Sequence, residues 1–140
     1  EWEFAARDGT DTEFPWGDEL CPGGEIRANT WHGKFPYHND RVRKGPLTMP
    51  SLSLAPSRYG LFNMIGNVWE WTTDKYQTPL EEIPSCCSKE RSESSETYVV
   101  KGGSFLCEAS YCRRYRSAAR SPQEIRSSTN HIGFRCVKRT

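Results

Sequence analysis

GLFNMIGNVWEWTTD, residues 60 to 74, is the stretch on which the fold turns. Gly66, Val68 and Glu70 fall at alternate positions, so in an extended segment their groups point to one side. Asn63 precedes them across a glycine-containing bend. An amide oxygen, main-chain carbonyls and one carboxylate are hard oxygen donors of the kind calcium takes. The plainer alternative is a tight turn in which Asn63 and Glu70 cap main-chain amides while Trp69 and Trp71 pack.

Towards the C-terminus lies the second dense motif, GGSFLCEASYCRRYR, residues 102 to 116. Four residues separate its two thiols, Cys107 and Cys112. Thiolates are soft ligands that select copper(I), zinc or iron–sulfur clusters. They are also nucleophiles and disulfide formers. The chain has 6 cysteines, with no CxxC pair and no histidine at zinc-finger spacing. Cys86 and Cys87 are adjacent, and a bond between neighbours is strained, so they are expected to stay unbridged. The pairing of Cys21 is open. In HIGFRCVKR, Ile132, Phe134 and Cys136 alternate, which predicts one buried strand face carrying an inert thiol.

Around these motifs the chain is punctuated rather than periodic. Glu1 to Ala6 read as the last turns of a helix closed by Asp8 and Gly9, a helix without a start that implies a missing N-terminal portion. Pro15 to Asp18 and Pro22 to Gly24 form turns. Residues 32 to 58 read as long irregular connection, and 76 to 97, rich in Glu and Ser, as a mobile surface insertion. Strand patterns follow at Tyr98 to Leu106, Tyr115 to Ala118 and Ile132 to Val137.

The 140 residues fit one domain, residues 1–140, whose core rests on 5 Trp, 6 Tyr and 6 Phe rather than on long aliphatic helices. A formal net charge of +1 gives no steer to nucleic acid or membrane, and no apolar run reaches membrane-span length. After Cys112 there are eight Lys/Arg and one acid, Glu124, either a docking face or a solvated rim. Hydrolase constellations are absent: Ser104 is not in a GxSxG elbow, and no HExxH occurs.

EWEFAAR, FPWGD, ANTW, YGLFNMIGNVWEWTTD, KGGSFLC, SYCRRYR, AAR and GFRC, in that order, resemble the formylglycine-generating enzymes, or sulfatase-modifying factors. The match runs through nearly the whole chain, weakest at residues 41 to 57 and 76 to 97. GNVWEW and GFRC belong to the wider superfamily; the Cys-x4-Cys element is specific to the formylglycine enzymes. The resemblance implies an α+β, loop-rich domain with little regular structure, of the C-type-lectin-like fold. It also implies a copper-dependent oxidase that turns a cysteine in an unfolded sulfatase's Cys-x-Pro-x-Arg segment into formylglycine, with O2 and a thiol reductant.

By resemblance, Cys107 and Cys112 bind Cu(I), and Ser104, Tyr111 and Trp69 line the same cleft. Arg116 and Arg120 are assigned to substrate or to thiol activation. Plain core or rim packing is the alternative for these arginines and aromatics. Calcium carries over onto Asn63, Gly66, Val68 and Glu70. A second calcium site would start at Asn29 and the carbonyl of Thr30. Its usual aspartate falls on Arg43, a cation, so that site needs Asp40 to shift into place.

Two departures set this chain apart from animal members. Their disulfide between the EWE helix and the arginine run meets Ala6 and Ser117 here, while another would join Cys136 to a residue upstream. The Cys86–Cys87 doublet and CRRYR look bacterial, so a reducing cytoplasm is expected, with the endoplasmic reticulum lumen or secretion as the alternative. Two other functions compete with this one. A noncatalytic binding domain on this fold would typically lack the thiol pair, and an iron-dependent sulfoxide synthase would need a histidine-rich site, whereas the chain has only His32, His38 and His131.

Overall fold

Nine prolines and 11 glycines leave few uninterrupted runs. A computed structural model describes residues 1–40, 48–77 and 96–138. Among these it holds one α-helix, α1 (Trp2–Arg7), a 3-10 turn (Pro22–Gly24) and four strands: β1 (Trp69–Lys75), β2 (Thr97–Lys101), β3 (Ser121–Glu124) and β4 (Ile132–Gly133). They form a single mixed sheet in the order β3-β2-β1-β4, antiparallel except for the parallel β1–β4 pair. The expected α+β, loop-rich architecture is what the chain adopts. Asp8, at φ 53°, ends α1 as the sequence predicts, and Gly9 follows at φ 76°.

Burial falls along β1 from Trp69 and Glu70 at its start to exposed Lys75 at its end. The core gathers at the buried end, where Phe14, Ala28, Ile65, Trp69, Val100, Cys107 and Tyr115 pack together. Helix α1 docks beside it through polar groups. The Trp2 indole N–H donates to the Glu70 carboxylate at 2.7 Å, and Lys101 Nζ, nearly buried, bonds Glu3 at 3.0 Å. At the exposed end Tyr76 N–H donates to the Thr97 carbonyl at 2.9 Å, extending the antiparallel β1–β2 pairing by one bond. Residues 78–95 of the expected insertion, with Cys86 and Cys87, lie outside the described residues.

Backbone–backbone bonds lace three loop segments together over this core. Gly66 N–H donates to the Gly102 carbonyl (2.7 Å), Phe105 N–H to the Asn67 carbonyl (2.9 Å), and Asn67 N–H to the Asn29 carbonyl (2.8 Å). The approach is close enough to demand glycine. A Cβ on Gly66, at φ +76°, would stand 2.5 Å from the Asn29 oxygen, and one on Gly103, at φ +72°, 2.6 Å from Tyr115 Cβ. Asn67 completes the lacing with its side chain. Its Oδ1 accepts from Asn29 Nδ2 (3.0 Å) and Met49 N (2.8 Å), while its Nδ2 donates to the Met49 carbonyl (3.2 Å).

All three predicted strands come out differently, the one expected over Tyr98 to Leu106 already ending at Lys101. Tyr115 to Ala118 forms turns, although Tyr115 and Ser117 are buried; the strand comes later, as Ser-Pro-Gln-Glu in β3. Proline is tolerated there because β3 is an edge strand. The last predicted strand, Ile132 to Val137, stops at Gly133. Beyond it Arg135, not Phe134 or Cys136, turns inward, donating to both Glu70 oxygens (2.8 and 3.1 Å) and to the Phe62 carbonyl (2.7 Å). Phe134 is left 78% exposed and Cys136 exposed, so the buried inert thiol is corrected to a surface one. Ala6 and Ser117 do meet, through a 3.3 Å bond from Ser117 Oγ to the Ala6 carbonyl.

Replacing Asn67 by leucine removes its buried bonds to the Asn29 amide and to both Met49 backbone groups. Unfolding stability should fall by about 3 kcal/mol, read as a lowered urea midpoint at unchanged slope.

Candidate thiol site

Cys107 and Cys112 are both free, and their sulfurs stand 3.2 Å apart. Cys107 belongs to the buried core, whereas Cys112 is half-buried against its edge. The sequence dictates this arrangement locally. The Gly102–Gly103 pair passes between the Trp2 ring and Tyr115, after which Ser104 to Cys107 folds into a tight turn closed by Cys107 N–H on the Ser104 carbonyl (3.0 Å). Glu108 then caps a second turn. Its carbonyl accepts from Tyr111 N–H (3.1 Å) and Cys112 N–H (2.7 Å), which brings the second thiol back over the first.

The two sulfurs are electrostatically unequal. The hydrogen bond with Cys112, followed by burial, raises the pKa of Cys107 far above the ordinary thiol value. The same bond lowers Cys112 to about 6; burial opposes this, and the Arg114 backbone N–H and guanidinium reinforce it. Both shifts act in one direction, keeping the proton of the pair on the buried Cys107 and favouring negative charge on Cys112. Ser104 N–H also faces Cys107 Sγ at 3.4 Å, and Ser104 Oγ lies 4.0 Å from it while accepting from Leu106 N–H (3.2 Å).

The other predicted residues divide. Trp69 packs in the same core cluster as Cys107. Tyr111 is 73% exposed, stacked on Phe35 at 5.1 Å. Arg116 bonds the Arg113 carbonyl (3.1 Å) and stands 3.9 Å from Glu13, and Arg120 lies 5.6 Å from the Tyr76 ring centroid. It is Arg114 that reaches Cys112, and nothing in the arginine run marks it except its place two residues after the thiol. Sequence reading also missed Trp31, whose N–H donates to the Cys107 carbonyl at 2.9 Å. Cavities of about 170 and 710 Å³ open elsewhere, beside Asp8 and Arg27 and over Trp71 and Tyr98.

Two donor sets can be tested for metals. The thiols offer two soft sulfurs in contact, a donor set that suits a thiophilic monovalent cation. At the other set, Asn63 Oδ1 is buried with no hydrogen-bond partner. Among the described residues Glu70 Oε1 accepts from Arg135 alone, so the carboxylate keeps one lone pair open beside the guanidinium. The second calcium position looks different. Asn29 gives its amide N–H to Asn67, Thr30 Oγ1 pairs with His32, and Asp40 pairs with His38 on the surface; Arg43 lies outside the described residues.

A loop-rich scaffold that holds two free, unequal thiols in contact defines a thiolate-site protein of the redox or soft-metal class. Comparison makes it particular. The model of the sulfatase-modifying factor enzyme 1-like domain matches residues 1–140, and the chain belongs to that family. It is 46% identical to the formylglycine-generating enzyme of Mycobacterium tuberculosis, over 98% of this chain and 48% of that protein. The enzyme of Thermomonospora curvata is likewise 46% identical, over 98% and 46%. The chain thus spans about half the length of these curated relatives. Treponema denticola variable protein 1 shares the fold, with a TM-score of 0.64 and 24% identity over 96% of this chain and 43% of that one.

At pH 7 one thiol should alkylate rapidly with iodoacetamide and its partner slowly. The fast rate should fall to half as pH drops to about 6. Cys107→Ala removes the donor and should move that midpoint up towards about 8.5. A parent chain that already titrates at the ordinary value would show that no hydrogen bond joins the sulfurs.

Proposed function

We propose that this chain carries the thiol centre of an oxidase that converts a sulfatase cysteine, in a Cys-x-Pro-x-Arg segment, to formylglycine. The observation that carries this reading is the contact pair of free thiols, Cys107 and Cys112, one buried and one half-exposed. Cys107 and Cys112 would hold Cu(I), which supplies one-electron chemistry with O2. Their thiolates favour the cuprous state because soft sulfur ligands do.

The chain's own residues do the rest. Cys107 anchors from the core, while Cys112, at the core's edge, is the sulfur a third thiol can approach. Ser104 donates its N–H towards Cys107, offsetting thiolate charge there. Arg114 does the same for Cys112. Fixing the substrate's sulfur beside this pair places its β-hydrogens at the reacting centre, which is positioning catalysis. The β-carbon gives up two electrons and the thiol reductant another two, together reducing one O2; the carbon ends as the aldehyde and sulfur leaves as sulfide. Arg116 and Arg120, exposed cations on the same run, are proposed to meet the peptide. The contact pair of free thiols favours this reading over a noncatalytic domain on the same fold.

Calcium is proposed at Asn63 Oδ1, the Gly66 and Val68 carbonyls and Glu70, where Arg135 already offsets the carboxylate charge. It would tie the GNVWEW turn to the C-terminal GFRC segment.

Titration of reduced protein with Cu(I) should end at one tight ion per chain, with none retained after Cys107→Ser or Cys112→Ser, and neither variant should form aldehyde in a Cys-x-Pro-x-Arg peptide. Aldehyde formed by either variant would refute the assignment. Independently, Glu70→Ala should lower stability by about 2 kcal/mol, because it removes the buried carboxylate to which Trp2 and the half-buried Arg135 both donate, and should abolish the rise in melting temperature that calcium gives the parent. A parent chain melting at one temperature with calcium and with chelator ends the calcium assignment.

A further inference from the structure

The turn between the thiols, Glu108 to Tyr111, projects from the core, with Ala109, Ser110 and Tyr111 exposed. Its internal bonds are local: Ser110 N–H to the Glu108 carboxylate (2.9 Å), and the Tyr111 and Cys112 N–H groups to the Glu108 carbonyl. Such bonds shape a turn without fixing it to the rest of the molecule. Two described contacts tie it down, and both run to the 31–40 loop. At one end Trp31 N–H holds the Cys107 carbonyl. At the other the Phe35 ring lies flat under Tyr111, centroids 5.1 Å apart and planes 13° apart.

Phe35 is itself held. Its ring meets Trp31 edge-on at 5.1 Å and 76°, and the Trp31 indole N–H donates to the His38 carbonyl at 3.1 Å. The loop closes on itself through Tyr37 and His38 N–H on the Lys34 carbonyl (both 2.8 Å) and Asp40 N–H on the His32 carbonyl (2.7 Å). Trp31, Phe35 and Tyr111 therefore make a continuous aromatic strut from one thiol residue to the neighbour of the other. Offset flat stacking of this kind is directional, unlike aliphatic contact.

We propose that Phe35 is a positioning residue for the thiol pair: stacked on Tyr111, it sets where Cys112 stands relative to the immobile Cys107. The proposal rests on the thiol-site reading above and deepens it. Sulfurs now in contact must part to admit a cation between them, and Cys107, packed in the core, cannot be the one that moves. Compliance of the Cys112 side then decides how tightly the pair grips, and the strut governs that compliance.

Phe35→Leu keeps bulk but removes the flat ring, and Phe35→Tyr keeps the ring. In the purified protein, Phe35→Leu and Tyr111→Leu should each weaken Cu(I) affinity about fivefold, measured by competition with a colorimetric chelator. The double variant should be no weaker than either single one, and Phe35→Tyr should bind as the parent does. Effects that multiply in the double variant, or a Phe35→Tyr as weak as Phe35→Leu, overturn the proposal. If Phe35→Leu fails to fold by circular dichroism, Tyr111→Leu against Tyr111→Phe repeats the test on an exposed ring. Alkylation rates of Cys112 in the same variants without metal should show the same non-additivity, and independent effects there count against the strut. A parent chain that takes up no Cu(I) would sink the oxidase reading, while the alkylation arm would still decide the role of Phe35.

Discussion

Asn67 is the constraint on which the rest of the structure depends. It sits in the left-handed region at φ 63°, which asparagine tolerates better than most residues, and its buried amide joins the 28–31, 48–50 and 64–67 segments. Its own carbonyl takes Phe105 N–H, two residues before Cys107. A chain with so little regular structure has few ladders to absorb buried backbone groups, so side-chain amides must do it. The thiol centre inherits its rigidity from this knot.

Charge is handled in the same manner. Glu70 and Lys101 are register partners across β1 and β2, yet each finds its counter-ion elsewhere, Glu70 in Arg135 and Lys101 in Glu3. The two bonds draw the first helix and the C-terminal segment onto one end of the sheet. Each pair has one buried partner, and it is intolerant of alternatives, because a displaced counter-ion leaves that buried charge bare. Segments without periodicity are thereby held in one register.

Much of this was legible in the chain. The glycine pair before Ser104, the helix end at Asp8 and the spacing of the thiols are local signals, and local signals survive folding. What was not legible depended on contacts distant in sequence. Alternation at Ile132, Phe134 and Cys136 predicts a buried face, but a guanidinium facing Glu70 and the Phe62 carbonyl outcompetes two apolar side chains for the inward position. In β3, proline and polar residues conceal a strand that exists because β2 offers it an edge. Among the arginines after Cys112, composition alone cannot say which points back to the sulfur; the turn geometry selects Arg114.

The asymmetry of the two thiols follows from the same geometry. A sulfur buried in an aromatic core is costly to ionise, and one at the rim beside cationic and N–H donors is not. Had both been buried, both would stay protonated and inert; had both been exposed, neither would be held at a fixed distance from the other. Cys107 belongs to the buried core and Cys112 to a turn anchored from outside it. The pair can therefore hold one proton, one negative charge and one fixed direction of approach at the same time.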